Sequence, residues 1–187
     1  MTKIKYICVA ILLSMAMSDS YKNPKYELLQ KDGKIEIRQY SEYVIAKTSI
    51  SDGDMQLNSN MFRTLANYIF GANSDKESIP MTAPVITTND NSDYEMIFFM
   101  LDAKSIDELP APNSSKVSIE KMSIGKAISI SFGFWATENR IKRYKKKLDN
   151  YIISNNIKVG SELMTAQYNS PWAIPPFRKN ELLYKIK

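Results

Sequence analysis

The side chains that most often perform chemistry in proteins are sparse in this sequence. None of its 187 residues is histidine, so no imidazole can activate a serine or cysteine nucleophile, and an ordinary zinc site cannot be built. Carboxylates occur at Glu36, Glu95, Glu162 and Glu181, but no spacing singles out a pair for acid and base catalysis. The six glycines are scattered at turns and form no phosphate-binding loop. We therefore expect a protein that binds a ligand and is not an enzyme.

Apolar side chains of a predicted helix offer the clearest binding surface. The helix begins at about Asn58 or Ser59, either of which can cap it, and continues to Phe70. At 100° per residue its apolar side chains cover about 160°, although a single core-facing stripe needs only about 100°. The surplus strip consists of Phe62, Ala66 and Phe70. This strip must be covered by another part of the chain or by a ligand.

The segment between Tyr168 and Phe177 is the candidate cover. It contains Trp172 and several prolines, and it precedes the last predicted strand. One interpretation is that this segment folds over the strip and completes the core. The other is that it leaves a groove for a flat apolar ligand, with Trp172 and Phe177 as further walls.

The remaining pattern predicts strands around these elements. Gly71 can end the first helix by taking a positive φ, and Pro80 and Pro84 place the next strand at an edge or a bulge. A second helix, capped by Thr137, is predicted over 138–153. Alternating β-branched and aromatic residues predict nine strands: 26–29, 35–38, 43–50, 81–87, 94–101, 117–121, 127–135, 163–168 and 181–186.

An internal repeat is visible at a constant offset of 83 residues. Met81-Thr82-Ala83 recurs as Met164-Thr165-Ala166, and Leu65 and Tyr68 recur as Leu148 and Tyr151. We therefore predict an α+β fold in which two βαββ repeats form a distorted, mainly antiparallel β-barrel or curved sheet flanked by two helices. The offset is constant through helix and strand, without a gap, and we expect the two halves to pack about a pseudo-two-fold axis.

The first residues resemble a secretory signal. Lys3 and Lys5 precede an uncharged run over 6–17, which is too short to span a hydrocarbon core of ~30 Å, and small residues follow at Ala16 and Ser18. We predict that residues 1–18 are a signal peptide and that 19–187 form one domain, exported to the periplasm or secreted. Cleavage removes Cys8, the only cysteine, and leaves no stable membrane span.

Positive charge is concentrated in the second helix. The chain has a formal net charge of +5, and its basic residues cluster at Arg140, Lys142, Arg143, Lys145, Lys146 and Lys147. Such a cluster can contact phosphates or an anionic membrane surface, but a solvated helix face is the simpler interpretation. We expect no nucleic-acid partner and a monomeric protein.

Several motifs in order resemble one known family. The strongest are 68–73 (YIFGAN) and 81–85 (MTAPV), and weaker ones follow at 108–112, 132–134, 168–171 and 177–181. Together they resemble the SOUL heme-binding protein family over roughly residues 25–187. The resemblance implies a distorted barrel with a tetrapyrrole against the first helix and the loop before the last strand. It also implies that Arg178 and Lys179, at the end of that loop, could pair with propionates.

The expected function is therefore non-catalytic binding of heme or another porphyrin by a carrier, buffer or scavenger. The predicted tetrapyrrole-binding residues are Phe62, Leu65, Ala66, Ile69, Trp172, Phe177, Arg178 and Lys179. Some members of the family are proposed to ligate iron through histidine, which this chain cannot do. A general small-molecule effector-binding module is the alternative, and a buried glutamate in the groove would favour it. A hydrolase or a tetrapyrrole-modifying enzyme is a third interpretation.

Overall fold

The computed structural model describes residues 21–51, 57–90, 93–170 and 173–187. The predicted signal peptide, residues 1–18, lies outside these ranges, and so does Trp172. Within them the chain forms strands and helices with the following bounds: β1 Tyr26–Asp32, β2 Ile35–Tyr40, β3 Glu42–Ser51, α1 Leu57–Ile69, β4 Val85–Asp90, β5 Asp93–Phe99, β6 Ser118–Ser123, β7 Lys126–Phe132, α2 Glu138–Ser154, β8 Met164–Gln167 and β9 Asn180–Lys185. Two single-turn 3₁₀ helices lie at Ile106–Glu108 and Pro175–Phe177.

All nine of these strands belong to one sheet in the order β1-β2-β7-β9-β8-β4-β5-β3-β6. Every pair of neighbouring strands is antiparallel. Buried side chains of seven of the strands, from Tyr40 in β2 to Leu183 in β9, meet in a single cluster on one face. One face can gather so many strands only if the sheet curls around it, so the predicted curved antiparallel sheet is confirmed.

The two helices cover the opposite face of the sheet. Helix α1 packs on β3 and β5, and helix α2 packs on β7 and β9. The α+β class and the two flanking helices are thus as predicted. Among the described residues, no helix combines the length and the apolar character needed to cross a bilayer.

Spacing explains the buried side of α1. Met61, Leu65, Tyr68 and Ile69 recur at three- and four-residue intervals and are at most 1% exposed. The helix begins at Leu57, so Asn58 and Ser59 lie in its first turn and the predicted cap is wrong. Gly71 has φ +105° and ends the helix as predicted.

All nine predicted strands differ from the observed strands by one to four residues at one end or at both, and for two of them the structure shows the reason. Residues 81–84 precede β4, because Thr82 donates its hydroxyl to the Phe99 carbonyl at 2.7 Å and the Ala83 amide bonds to Lys22. The predicted start of that strand at Met81 is therefore wrong. Strand β7 ends at Phe132 and not at Trp135, because Phe134 takes a positive φ of +68° that breaks the strand.

The internal repeat remains a prediction. From β2 to β6 the strand order is symmetric, with β2, β7, β9 and β8 mirrored by β6, β3, β5 and β4. A gapless offset of 83 would convert the Ile45–Phe99 pair into Ile128–Leu182, but Ile128 pairs with Tyr184. Residues 81–83 also lie before β4, whereas 164–166 lie inside β8. The gapless form of the repeat is therefore wrong, and superposition of the two halves is its remaining test.

Candidate functional site

A groove lies where α1, the segment before β4 and the loop after β8 approach one another. Its volume is about 150 Å³. The wall is mainly apolar and aromatic, with some amide and hydroxyl groups, and it is formed by Tyr21, Phe62, Phe70, Met81, Thr82, Ala83, Val85, Gln167, Tyr168, Asn169 and Ser170. The groove thus has wall residues from the first helix and from the loop before the last strand, the two elements between which the sequence predicts a binding site, and ligand binding there stays a prediction.

Helix α1 supplies two phenylalanines to the groove. Phe62 is half-buried and packs its ring against Phe98 of β5, with 5.5 Å between the ring centroids. Phe70 is 69% exposed although it lines the groove. It lies just after the helix, where the returning chain bonds the Ile79 amide to the Ile69 carbonyl at 2.7 Å. The turn therefore holds a large apolar side chain in solvent beside a concave wall.

The opposite wall begins at the end of β8. The Tyr168 amide bonds to the Lys179 carbonyl, and the Lys179 amide bonds to the side-chain oxygen of Asn169 at 2.6 Å. These bonds close the base of the loop between β8 and β9. The Lys179 ammonium group lies 4.0 Å from the centroid of the Tyr168 ring. One wall residue of the groove thus carries a half-exposed cation on its ring.

Behind Tyr168 lies a buried network of charged and phenolic groups. The Tyr168 hydroxyl donates to Glu181 at 2.7 Å, and Arg38 donates to both oxygens of the same carboxylate at 2.8 and 2.9 Å. Arg38 also donates to Tyr40 at 2.9 Å and to Glu36 at 2.6 Å. Side chains of Arg38 and Glu181 are 3% and 1% exposed. Each buried polar side-chain atom in the described ranges has a hydrogen-bond partner.

Burial and charge act in opposite directions on these groups. Burial alone would raise the pKa of Glu181, but the hydrogen bonds and charge of Arg38 hold that pKa below its usual value. Burial raises the pKa of Tyr168 well above its usual value, and the negative charge of Glu181 raises it further. Tyr168 therefore stays a neutral phenol and Glu181 stays a carboxylate at neutral pH.

The predicted site residues lie in different environments. Phe62 lines the groove. Leu65 and Ile69 are fully buried on the sheet-facing side of α1, and Ala66 is 9% exposed in the core. Phe177 is 61% exposed on the loop before β9. Trp172 lies outside the described residues.

Arg178 and Lys179, the two residues predicted to pair with propionates, also lie in different environments. Arg178 is mostly buried, donates to the Ser170 carbonyl at 2.8 Å and stacks on the Trp135 ring, so it fastens the loop. Lys179 forms an ion pair with Glu181 at 3.2 Å, and its side chain is half exposed beside the groove. Of the two, Lys179 is placed to reach a ligand in the groove.

Sequence reasoning missed Met81, Val85 and Tyr168 as wall residues. Phe70 was recognised in the surplus strip but not assigned to the site. The signal that could have found Met81 and Val85 is the apolar character of 81–85, from which the sequence predicts a strand at an edge or with a bulge and no groove wall. No group of three or more acidic, cysteine or histidine side chains suited to a metal ion occurs in the described part of the chain.

A second hollow of about 200 Å³ lies on the other flank of α1. Its wall mixes polar and apolar groups, including Thr64, Asn67, Asn113 and Ser114. The Tyr68 hydroxyl in this wall already donates to the Pro110 carbonyl at 3.0 Å. The groove is the better candidate because its wall is mainly apolar and aromatic.

Three solved structures illustrate the fold. An uncharacterized conserved protein from Listeria innocua is 10% identical with a TM-score of 0.60, covering 82% of this chain and 92% of that one. The EcmrR C-terminal domain is 10% identical with a TM-score of 0.59, covering 87% and 98%. A hydrolase from Listeria innocua is 10% identical with a TM-score of 0.58, covering 85% and 94%. At such identities the likeness shows the fold alone.

Comparison at the level of sequence is more specific. A search of curated proteins gives no significant match. The sequence profile described as SOUL heme-binding protein matches residues 21–185, a range that holds both helices, all nine strands and the groove. The chain therefore belongs to the SOUL heme-binding protein family.

Proposed function

We propose that this protein binds heme or a related tetrapyrrole in the groove between α1 and the loop before β9, and that it carries or buffers this ligand without transforming it. The observation that supports the proposal is the exposed Phe70 beside Phe62, Met81 and Val85 in the concave wall of a heme-binding family member. A macrocycle would cover apolar surface that is otherwise left in water.

The apolar wall of the groove matches the apolar character of a tetrapyrrole, but the groove is too small to enclose the whole macrocycle. Sites that enclose small molecules have volumes of roughly 300–1,000 Å³, and the groove has about 150 Å³. It can therefore receive one edge of a macrocycle while the rest stays exposed. Covering ~200 Å² would contribute roughly 5 kcal/mol before the entropy losses of binding. We expect affinity in the micromolar range or weaker, on the order of 10 μM.

Lys179 is the basic residue that can recognise a propionate of the ligand. Its half-exposed ammonium lies over Tyr168 and can pair with a propionate at the groove edge. Such an exposed pair adds at most ~1 kcal/mol. Because Arg178 is committed to the loop carbonyls and Trp135, its contribution is to hold the loop in place.

Iron has few protein ligands at this position. The chain has no histidine, and its single cysteine, Cys8, lies outside the described residues. Tyr168 lines the groove, but its raised pKa and its bond to Glu181 disfavour the tyrosinate that ligates iron. The phenol of Tyr21 and the thioether of Met81 are the other wall groups of a type that ligates heme iron. Apolar contact must therefore supply most of the binding energy.

The alternative function is a general binding module for apolar cations. The observation that favours it is Glu181, a buried carboxylate in contact with the groove residue Tyr168. However, Arg38 already neutralises this carboxylate through two hydrogen bonds. An apolar cation would have to compete with a guanidinium at 2.8 Å, so tetrapyrrole binding is the better supported function.

The test is an absorbance titration with hemin on matched variants. Phe70→Asp places a carboxylate in the groove wall, and Ile153→Asp makes the same change at the end of α2, where Ile153 is 73% exposed. Loss of a large apolar contact should weaken binding at least about tenfold for Phe70→Asp. Ile153→Asp should bind as the unchanged protein does. Both positions are exposed, so neither variant should unfold.

Any of three results would overturn the proposal. Equal hemin affinity for the unchanged protein and Phe70→Asp would remove the groove as the site. Tighter binding of an apolar cationic dye than of hemin, lost in Glu181→Gln, would favour the alternative module. Turnover of a chromogenic ester or of the porphyrin itself would replace the carrier role with an enzymatic one.

A further inference from the structure

Four large apolar side chains are exposed on two neighbouring loops, and none of them lines the groove. Phe134 and Trp135, in the loop between β7 and α2, are 49% and 45% exposed. Ile174 and Phe177, in the loop before β9, are 54% and 61% exposed. A soluble surface seldom gathers four such side chains unless they contact a partner. We call these four residues the apolar tip.

The backbone holds the aromatic pair of the tip in this exposed position. Phe134 has φ +68°, a conformation that is unusual for an aromatic residue and costs on the order of 1–3 kcal/mol. The side-chain amide of Asn180 donates to the Phe134 carbonyl at 2.8 Å and to the Phe132 carbonyl at 3.4 Å. Asn180 itself is 2% exposed. The loop is therefore fixed by a buried side chain in a shape that directs two aromatic residues to solvent.

Stacked guanidinium groups join the two loops into one surface. Arg178 lies over the Trp135 ring at 3.7 Å from its centroid, next to Phe177 in the chain. Arg140 lies over the Phe134 ring at 5.0 Å and donates to the Trp135 carbonyl at 3.2 Å. Each aromatic ring of the pair thus has a cation over one face, while the residue stays about half exposed.

Helix α2 begins just after Phe134 and Trp135 and carries basic residues along its length. We call its residues Arg143 and Lys147, together with Lys34, the basic flank. Positions 139–148 contain six basic residues and no acidic one. Lys142 and Lys145 form ion pairs with Glu138 and Asp149 within the helix. Within the described residues, Arg143 and Lys147 make no ion pair with a carboxylate, and both approach the ring of Tyr144, as does Lys34 of the β1–β2 turn. Positive charge is therefore concentrated beside the apolar tip.

We propose that this end of the molecule binds the surface of anionic lipid bilayers, with the apolar tip in the interfacial region and the basic flank over the headgroups. Aromatic residues favour the boundary between headgroups and acyl chains, and nearby Lys and Arg are attracted to anionic headgroups. The proposal depends on a surface separate from the groove, so it stands or fails independently of tetrapyrrole binding.

Single-stranded nucleic acid is the competing polyanion, and the geometry disfavours it. Base stacking needs an open aromatic face. One face of Trp135 is covered by Arg178 and one face of Phe134 by Arg140. Ile174 is 54% exposed and offers no ring for stacking, so it suits insertion into lipid and not contact with a base.

The experiment uses Trp135 as its own reporter. The chain contains two tryptophans, so Trp172→Phe leaves Trp135 as the single indole fluorophore. The full chain is mixed with vesicles of phosphatidylcholine alone or with one quarter phosphatidylglycerol. We expect a blue shift of Trp135 emission only with the anionic vesicles, and its reversal by high salt. The apolar residues 6–17 would associate with both vesicle types. A blue shift of Trp135 emission that occurs only with anionic vesicles and is reversed by salt therefore reports binding by the apolar tip and not by residues 6–17.

Matched variants in the same background separate charge from apolar contact. Arg143→Glu with Lys147→Glu should raise the lipid concentration for half-binding at least about tenfold, because each basic group near the surface contributes a factor of about five. Phe134→Ser and Phe177→Ser should each weaken binding several-fold. The controls are Lys104→Glu with Lys116→Glu, exposed lysines outside α2, and Ile153→Ser at the far end of α2. Neither control should change the lipid dependence.

Three outcomes would overturn the proposal. The first is unchanged Trp135 emission with anionic vesicles. The second is equal weakening by the controls and by the tip and flank variants, which would mean general charge attraction. The third is binding of single-stranded RNA at lower concentration than lipid, lost with Arg143→Glu and Lys147→Glu but insensitive to Phe134→Ser and Phe177→Ser.

Discussion

Arg38 and Glu181 are 143 positions apart in the chain, yet they form a bidentate ion pair across the intervening strand β7. The distances are 2.8 Å between Nη1 and Oε2 and 2.9 Å between Nη2 and Oε1. The pair ties β2 near one edge of the sheet to β9 near its centre. It also positions Tyr168, whose hydroxyl shares the same carboxylate and whose ring lines the groove.

Removing one partner of this pair should strongly destabilise the protein. Arg38→Met leaves Glu181 as a buried charge without its main partner, so the free energy of unfolding should fall by about 3–5 kcal/mol. Arg38→Met combined with Glu181→Leu should restore a large part of this loss, because neither charge of the pair remains in the core. Urea denaturation of the two variants measures the difference.

An exposed ion pair provides the control. Lys121 and Glu42 are each about half exposed, so Lys121→Met should change the free energy of unfolding by less than ~1 kcal/mol. Equal losses for Lys121→Met and Arg38→Met, or a double variant less stable than Arg38→Met, would show that burial of the pair does not govern its contribution.

The pair also predicts how stability depends on acid. Burial would raise the pKa of Glu181 and Glu36, but Arg38, together with Lys31 at Glu36, holds both values below the usual one. A depressed carboxyl pKa contributes stability above the unfolded value of ~4.3. This contribution is lost as the pH falls from about 4.3 through the lower folded pKa. Urea midpoints between about pH 6 and pH 3 should show the loss, and Glu181→Gln should have a shallower acid slope. An identical slope in that variant would contradict the assignment.

Buried phenols predict a second loss at alkaline pH. Burial raises the pKa of Tyr40 to about 12 and that of Tyr68 to about 12. The unfolded chain releases these protons at about pH 10, so the contribution to stability is full below pH ~10 and is lost as the pH rises toward about 12. The chain has 11 tyrosines, so the signal of Tyr40 is the difference in tyrosinate absorbance between the unchanged protein and Tyr40→Phe, and it should appear together with unfolding. Tyr40→Phe should lose less stability in this range, and a difference signal that appears before unfolding would contradict the prediction.

Much of the fold was predictable because it depends on local signals. The spacing of Met61, Leu65 and Tyr68 defines the buried side of α1, and Gly71 ends the helix as its freedom of φ predicts. Strand bounds were less accurate where side chains replace ladder hydrogen bonds. Thr82 bonds to the Phe99 carbonyl and Asn180 to the Phe134 carbonyl, and neither contact has a signal in local sequence.

The candidate site was predictable only in part for a related reason. The surplus strip on α1 identified Phe62 and Phe70 through periodicity alone. The opposite wall at Tyr168 and the commitment of Arg178 to Trp135 depend on contacts between distant segments. The buried Arg38–Glu181 pair spans 143 positions and has no periodic pattern. Such long-range polar pairing cannot be predicted from the local sequence.

The metal should contribute little to tetrapyrrole affinity. Of the protein ligands conceivable without histidine, Met61 and Tyr68 are in the core, Tyr168 is held as a phenol by its raised pKa, and the Lys179 ammonium group is paired with Glu181. In the groove wall, Met81 offers a thioether sulfur that can ligate iron without losing a proton, whereas Tyr21 would have to lose one. Hemin and metal-free protoporphyrin should therefore bind within about tenfold of each other, a difference of ~1.4 kcal/mol.

Met81→Leu keeps the apolar wall and removes the thioether, so it should leave both affinities nearly unchanged. Competition titrations with the two porphyrins measure the ratio. A hundredfold preference for hemin that disappears in Met81→Leu would identify a thioether ligand and contradict binding by apolar contact alone.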